Sequence, residues 1–171
     1  TRFTFNGAED FVPIWSPDGA NILFVSDRSG PGNIYEKPTS GAANEQEVLQ
    51  TDERKWPSDW SKDGQNVAFI SASPQTRLDL WVLPMFGDRK PISFLQTSFN
   101  EDGPRFSPDG NFIAYYSDDA GPYEVYVQPF PATGAKWQIS SGGGMQPRWR
   151  RDGKELFFMA PNRRLMAVDV N

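Results

Sequence analysis

Four short, unbroken apolar runs punctuate an otherwise polar chain: Ile22-Leu23-Phe24-Val25, Val67-Ala68-Phe69-Ile70, Phe112-Ile113-Ala114-Tyr115-Tyr116 and Leu156-Phe157-Phe158-Met159. A half-exposed strand alternates apolar and polar residues. These runs do not, so each predicts a strand buried on both faces. Each follows an Asp-Gly pair, at 18–19, 63–64, 109–110 and 152–153, with spacings of 45, 46 and 43 residues. An aromatic stands three residues before each Asp: Trp15, Trp60, Phe106 and Trp149. Pro13, Pro104 and Pro147 lie two residues before their aromatics, and Ser58, preceded by Pro57, takes that place in the second copy. A second apolar run follows in each copy, around Ile34-Tyr35, Leu80-Trp81, Val125-Tyr126 and Leu165-Met166.

Each copy predicts a small antiparallel sheet of four strands. The first strand carries the proline and must therefore be an edge strand, because proline lacks the N–H of a mid-sheet ladder. Ser16-Pro17-Asp18-Gly19 closes the first hairpin, with Pro presetting φ and Gly taking the left-handed geometry. The fourth strands are expected at Glu45–Gln50, Lys90–Gln96 and Lys136–Ser141. Four-stranded units of this length, buried on both faces, are blades of a β-propeller. The expected fold is all-β, one propeller segment over 1–171 with blades at 11–50, 56–96, 103–141 and 146–170. The fourth copy runs out after its third strand. Residues 1–5 supply a spare one, expected as an extra outer strand that covers a sheet edge. Mismatched ends and a start at Thr1 predict part of a larger ring, able to self-associate through its terminal blades.

Composition narrows the chemistry. The 171 residues include no His and no Cys, which removes disulfides, Cys/His metal sites and Ser-His-Asp or Cys-His catalysis within the chain. A net charge of −5 argues against nucleic acid as a partner. The apolar runs are too short to cross a membrane, so no membrane insertion is expected.

The pattern Pro-x-Trp-Ser-Pro-Asp-Gly, apolar strand, Ser-Asp-Arg-x-Gly, Ile-Tyr resembles the TolB-like, WD-repeat-like β-propellers. Pro13, Trp15 to Gly19, Ser26-Asp27-Arg28, Gly30 and Ile34-Tyr35 carry the resemblance, and the third copy keeps Pro104, Phe106 to Gly110 and Gly121. Lys62 replaces the turn proline in copy two, and copy four reads Arg150-Arg151-Asp152-Gly153. Val127 to Pro131, Trp137 to Ser140 and Pro147-Arg148-Trp149 are similar to propellers fused behind bacterial serine/threonine kinase domains, although no kinase motif is present. The resemblance implies a six-bladed parent ring, a periplasmic or other extracytoplasmic location and a role in sensing or binding.

The Asp-Gly turns read as turns rather than cation sites, because nothing matches the spacing of a calcium loop. No cofactor and no metal is expected. The inter-blade segments carry Glu9-Asp10, Asp52-Glu53 and Glu101-Asp102, which would form a negative rim at one mouth of the channel, attractive to a basic peptide or a cation. Asp59, Arg105 and Arg148 replace Ile14 beside the repeat aromatics and point away from them. The candidate ligand contacts are therefore Glu9, Asp10, Asp59, Glu101, Asp102, Arg105 and Arg148. The expected function is a non-catalytic module for a protein or peptide partner, the scaffold or sensor part of a bacterial protein, with a kinase or a peptidase as the candidate companion domain in the parent. The alternatives are a carboxylate- or metal-dependent propeller hydrolase, of glycosidase or lactonase type, and the substrate-gating propeller of a prolyl-oligopeptidase-type peptidase.

Overall fold

The computed structural model describes residues 2–170. It contains fifteen strands in four antiparallel sheets, and no helix among the described residues. The first sheet orders β1 (Asp10–Trp15), β2 (Asn21–Ser26), β3 (Asn33–Pro38) and β4 (Gln46–Leu49) side by side. The second holds β5 (Lys55–Trp60), β6 (Asn66–Ser73), β7 (Arg77–Pro84) and β8 (Ile92–Leu95) in the same order. The third holds β9 (Glu101–Phe106), β10 (Phe112–Ser117), β11 (Glu124–Pro129) and the two-residue β12 (Trp137–Gln138). The fourth has three strands, β13 (Met145–Trp149), β14 (Glu155–Met159) and β15 (Leu165–Asp169). These are propeller blades, with β1, β5, β9 and β13, which carry Pro13, Pro57, Pro104 and Pro147 within the strand, at an edge of each sheet, whereas the mid-sheet strands β3, β7 and β11 hold a proline only as their last residue.

The Ser-x-Asp-Gly turns explain the repeat chemistry. Ser16 Oγ donates to Asp18 Oδ1 at 2.6 Å and accepts the Asn21 N–H at 2.9 Å, while the Gly19 N–H bonds the Ser16 carbonyl. Copies two and three repeat these bonds at Ser61-Asp63 and Ser107-Asp109. In copy four Arg150 replaces the serine and bonds Asp152 with its guanidinium. The turn carboxylates are thus occupied by their own hairpins.

Three apolar clusters lie between successive sheets. Leu23, Ile34 and Leu49 of the first meet Val67, Phe69 and Leu83 of the second, with Trp60 packed against them. Ala68, Ile70, Leu80 and Val82 meet Phe106, Ile113, Tyr115 and Tyr126. Ala114, Val125 and Val127 meet Leu156 and Phe158, with Trp149 packed alongside. In each case the repeat aromatic of one blade lies on the blade before it. Trp15, at the same place on the first blade, meets no such neighbour and is 61% exposed.

The innermost strands bulge. Register slips between Phe11 and Ile14, Pro57 and Asp59, Asp102 and Arg105, and Met145 and Arg148. The residue before the strand proline is left-handed in three copies: Val12 (φ 51°), Gly103 (φ 60°) and Gln146 (φ 55°). In copy two Pro57 itself holds this place, and its ring forbids positive φ.

Two expectations need correction. Residues 2–5, expected as an outer strand, lie in no strand, and Thr1 is outside the described residues. Instead they cover the free face of the first blade: Lys37 Nζ donates to the Phe3 carbonyl at 2.8 Å and sits over the Phe3 and Phe5 rings. The fourth strand of copy three is only two residues long; just past it the Ile139 N–H still donates to the Val125 carbonyl, while the Val125 N–H turns to the Ser140 hydroxyl.

Trp60→Ala should cost about 3–5 kcal/mol of stability. Trp15→Ala, with no blade to pack on, should change it by less than about 1 kcal/mol in the same urea titration. A Cβ on Gly103 would lie 2.6 Å from Tyr116 Cε1 at a left-handed φ. Gly103→Ala should therefore lower stability by about 1–3 kcal/mol, whereas Val12→Gly, at the equivalent bulge, should leave thermal stability equal or raised by about 1 kcal/mol.

Candidate functional site

The innermost strands β1, β5, β9 and β13 have two ends, one where they begin and one at the hairpin turns. The acidic pairs gather at the first. Glu9 is exposed, but Asp10 is tied down, accepting Asn6 Nδ2 at 2.9 Å and Arg28 Nη2 at 3.0 Å. Burial works to raise the Asp10 pKa, and hydrogen bonds from Ser26, Thr4, Asn6 and Arg28 outweigh it, holding the carboxyl below its usual range. Glu53 accepts the Ser71 hydroxyl at 2.7 Å. Lys55, at the start of β5, is fully buried, donates to Thr51 Oγ1 at 2.7 Å, and is pushed down to about 8 by that burial. Asp102 accepts the Tyr116 hydroxyl at 2.7 Å.

Glu101, expected on the rim, is 1% exposed. Its register points it into the space between the second and third blades, where Thr97 donates to one oxygen and the other has no partner. Burial raises its pKa to about 7, and the charges of Asp79, Asp118 and Asp119 add to the shift, against the Thr97 hydrogen bond. The three acidic pairs therefore do not form one open negative rim. Cations and internal hydrogen bonds interrupt it, and Glu9 and Asp52 are its exposed members.

The turn-side end brings the other candidates together. Asp59, Arg105 and Arg148 sit on β5, β9 and β13, opposite Ala68, Ala114 and Phe157. Arg105 Nη1 lies 3.7 Å from Asp59 Oδ1 and donates to the Ser58 carbonyl, while Asp59 Oδ2 accepts the Phe106 N–H at 2.8 Å. Burial raises the Asp59 pKa against the attraction of Arg105. Burial and the neighbouring charge of Arg148 lower that of Arg105, with Asp59 opposing. All three line a cleft of 580 Å³ that takes residues from every blade. Lys62 and Arg151 line it too, at the turn position where copies one and three carry Pro17 and Pro108. Sequence reasoning passed over these two; the signal was that both departures from the turn proline are cations. Among the described residues, no three Asp or Glu side chains are grouped to hold a metal ion.

Glu101 makes a pH prediction. Its folded pKa is raised, so the folded chain holds a proton there that the unfolded chain releases above its ordinary 4.5. Its contribution is complete below that value and is lost as pH rises through about 7. The stability of the native chain relative to Glu101→Gln should fall across this window by about 3 kcal/mol, read from denaturant titrations at pH steps.

No protein-family model and no curated protein matches this sequence. Solved structures do. A putative TolB from Agrobacterium tumefaciens superimposes with a TM-score of 0.85 at 18% identity, over 98% of this chain and 64% of that one. TolB from Acinetobacter baumannii gives 0.79 at 19% identity, over 96% and 42%. An oligogalacturonate lyase in complex with manganese gives 0.72 at 13% identity, over 95% and 54%. The chain thus spans less than two thirds of each of these proteins. Four sheets in sequential order, the shared inner edge and these superpositions together show that the chain has the TolB-like β-propeller fold.

Proposed function

We propose that this chain is a non-catalytic module that binds a protein or peptide through its mouths and channel, as the scaffold or sensor part of a bacterial protein. The observation that carries this reading is how the charged groups are divided. The carboxylates of the turns and inner strands are engaged in internal bonds, while Lys62, Arg148 and Arg151 project into an open cleft shared by all four blades. A rigid sheet framework that presents unengaged charge in a concave surface suits recognition. The resemblance to TolB-like propellers supports a periplasmic or other extracytoplasmic location. No helix among the described residues is long and apolar enough to cross a membrane. Exposed Trp15, Leu165 and Met166 on the terminal blades support self-association through those ends.

The test is selection of peptides from a random display library on the intact chain, followed by calorimetry of those retained. Dissociation constants in the micromolar range or tighter are expected, with no turnover. A library that yields no binding peptide overturns the reading. So does cleavage of oligogalacturonate in the presence of manganese, which the shared fold makes the enzymatic control to run.

A further inference from the structure

The turn-side cleft carries a charge balance opposite to that of the whole molecule. The chain has a net charge of −5, yet Lys62, Arg105, Arg148 and Arg151 face this cleft with Asp59 as the single carboxylate. Asp59 is partly occupied by the Phe106 N–H and stands 3.7 Å from Arg105. Arg148 donates to the Pro147 carbonyl, its own neighbour, and forms no ion pair among the described residues. The buried Nε of Arg105 has no hydrogen-bond partner. Two of the cations occupy turn positions where the other copies carry proline, so the local preference of the turn has given way to positive charge in both blades that depart from it.

We infer that this cleft binds an acidic peptide segment, one carrying at least two carboxylates beside apolar side chains. This deepens the binding-module reading and rests on it. Guanidinium groups left without carboxylate partners are matched by carboxylates in bidentate geometry. The walls between the cations are the repeat aromatics Trp60 and Trp149 with the prolines Pro17 and Pro108, which supply apolar contact for the rest of the peptide. A nucleic-acid strand fits less well. Its continuous phosphate charge would run beyond the cleft onto a molecule of net negative charge.

The test uses the intact chain and fluorescence anisotropy with three labelled peptides of equal length: one alternating Glu with Leu and Trp, its Gln counterpart and its Lys counterpart. The acidic peptide should bind, and added salt should weaken it. Lys62→Gln, Arg148→Gln and Arg151→Gln combined should lower its affinity by about tenfold or more. A control removing the same charge elsewhere, Lys90→Gln, Arg163→Gln and Arg164→Gln, should leave affinity within about twofold. Arg148→Lys, which keeps the charge and loses the fork, should fall between the two and guards against a merely misfolded triple variant. Preferential binding of the Gln or Lys peptide overturns the acidic-peptide inference and leaves the binding-module reading standing. If none of the three binds although library-selected peptides do, the inference again fails alone. Displacement by inorganic phosphate at the concentrations where the peptide acts, or tighter binding of a single-stranded oligonucleotide, also overturns it.

Discussion

Everything in this molecule depends on one contact made three times, in which an aromatic at the end of an innermost strand lies on the sheet before it. Trp60, Phe106 and Trp149 each bridge consecutive blades, and the three apolar clusters form around them. A single four-stranded sheet has two apolar faces and cannot bury either by itself. Stacking solves this for the inner blades and leaves the question open only at the ends. The innermost strands also come together because of these contacts, so the cleft they frame is a product of the same packing.

The repeat was legible because its chemistry is local. Ser, Asp and Gly close each hairpin with their own side chains and backbone, so the turn must appear in the sequence wherever the hairpin does. The aromatic is equally fixed, since it has one place to go. The proline correctly marked an edge strand. Less legible was everything that depends on a neighbouring blade. Glu101 reads as a loop acid and is buried, because the bulge at Gly103 and the strand register turn it into the interface. Residues 2–5 read as a strand and instead lie over a face, held there by Lys37, which donates to the Phe3 carbonyl and sits over the Phe3 and Phe5 rings. Asp59, Arg105 and Arg148 were visible as departures from Ile14, but their convergence with Lys62 and Arg151 is visible only in three dimensions.

The same packing sorts the charges. Acids placed where hairpins close become acceptors for hydroxyls and backbone N–H groups, and their chemistry ends there. Acids and a lysine placed between blades lose water, and their protonation becomes linked to the assembly of the blades. Asp59 and Arg148 on the bulged inner strands, with Lys62 and Arg151 at the turn tips, share one cleft instead. Function, in such a chain, is read from which charges the hairpins and interfaces leave over.

The two ends of the stack are built differently. The first blade is closed by cations on aromatic rings, Arg28 over Phe24 and Tyr35 and Lys37 over Phe3 and Phe5. The last leaves Leu165 and Met166 in water beside an unpaired β15 edge. Each blade packs on its sequence neighbours, so the outward faces of the first and fourth blades of this chain differ in chemistry. Salt screens the cations that lie over the rings of the first face, while the exposed side chains of the fourth are apolar and unaffected by it, so ionic strength acts on one face and not on the other.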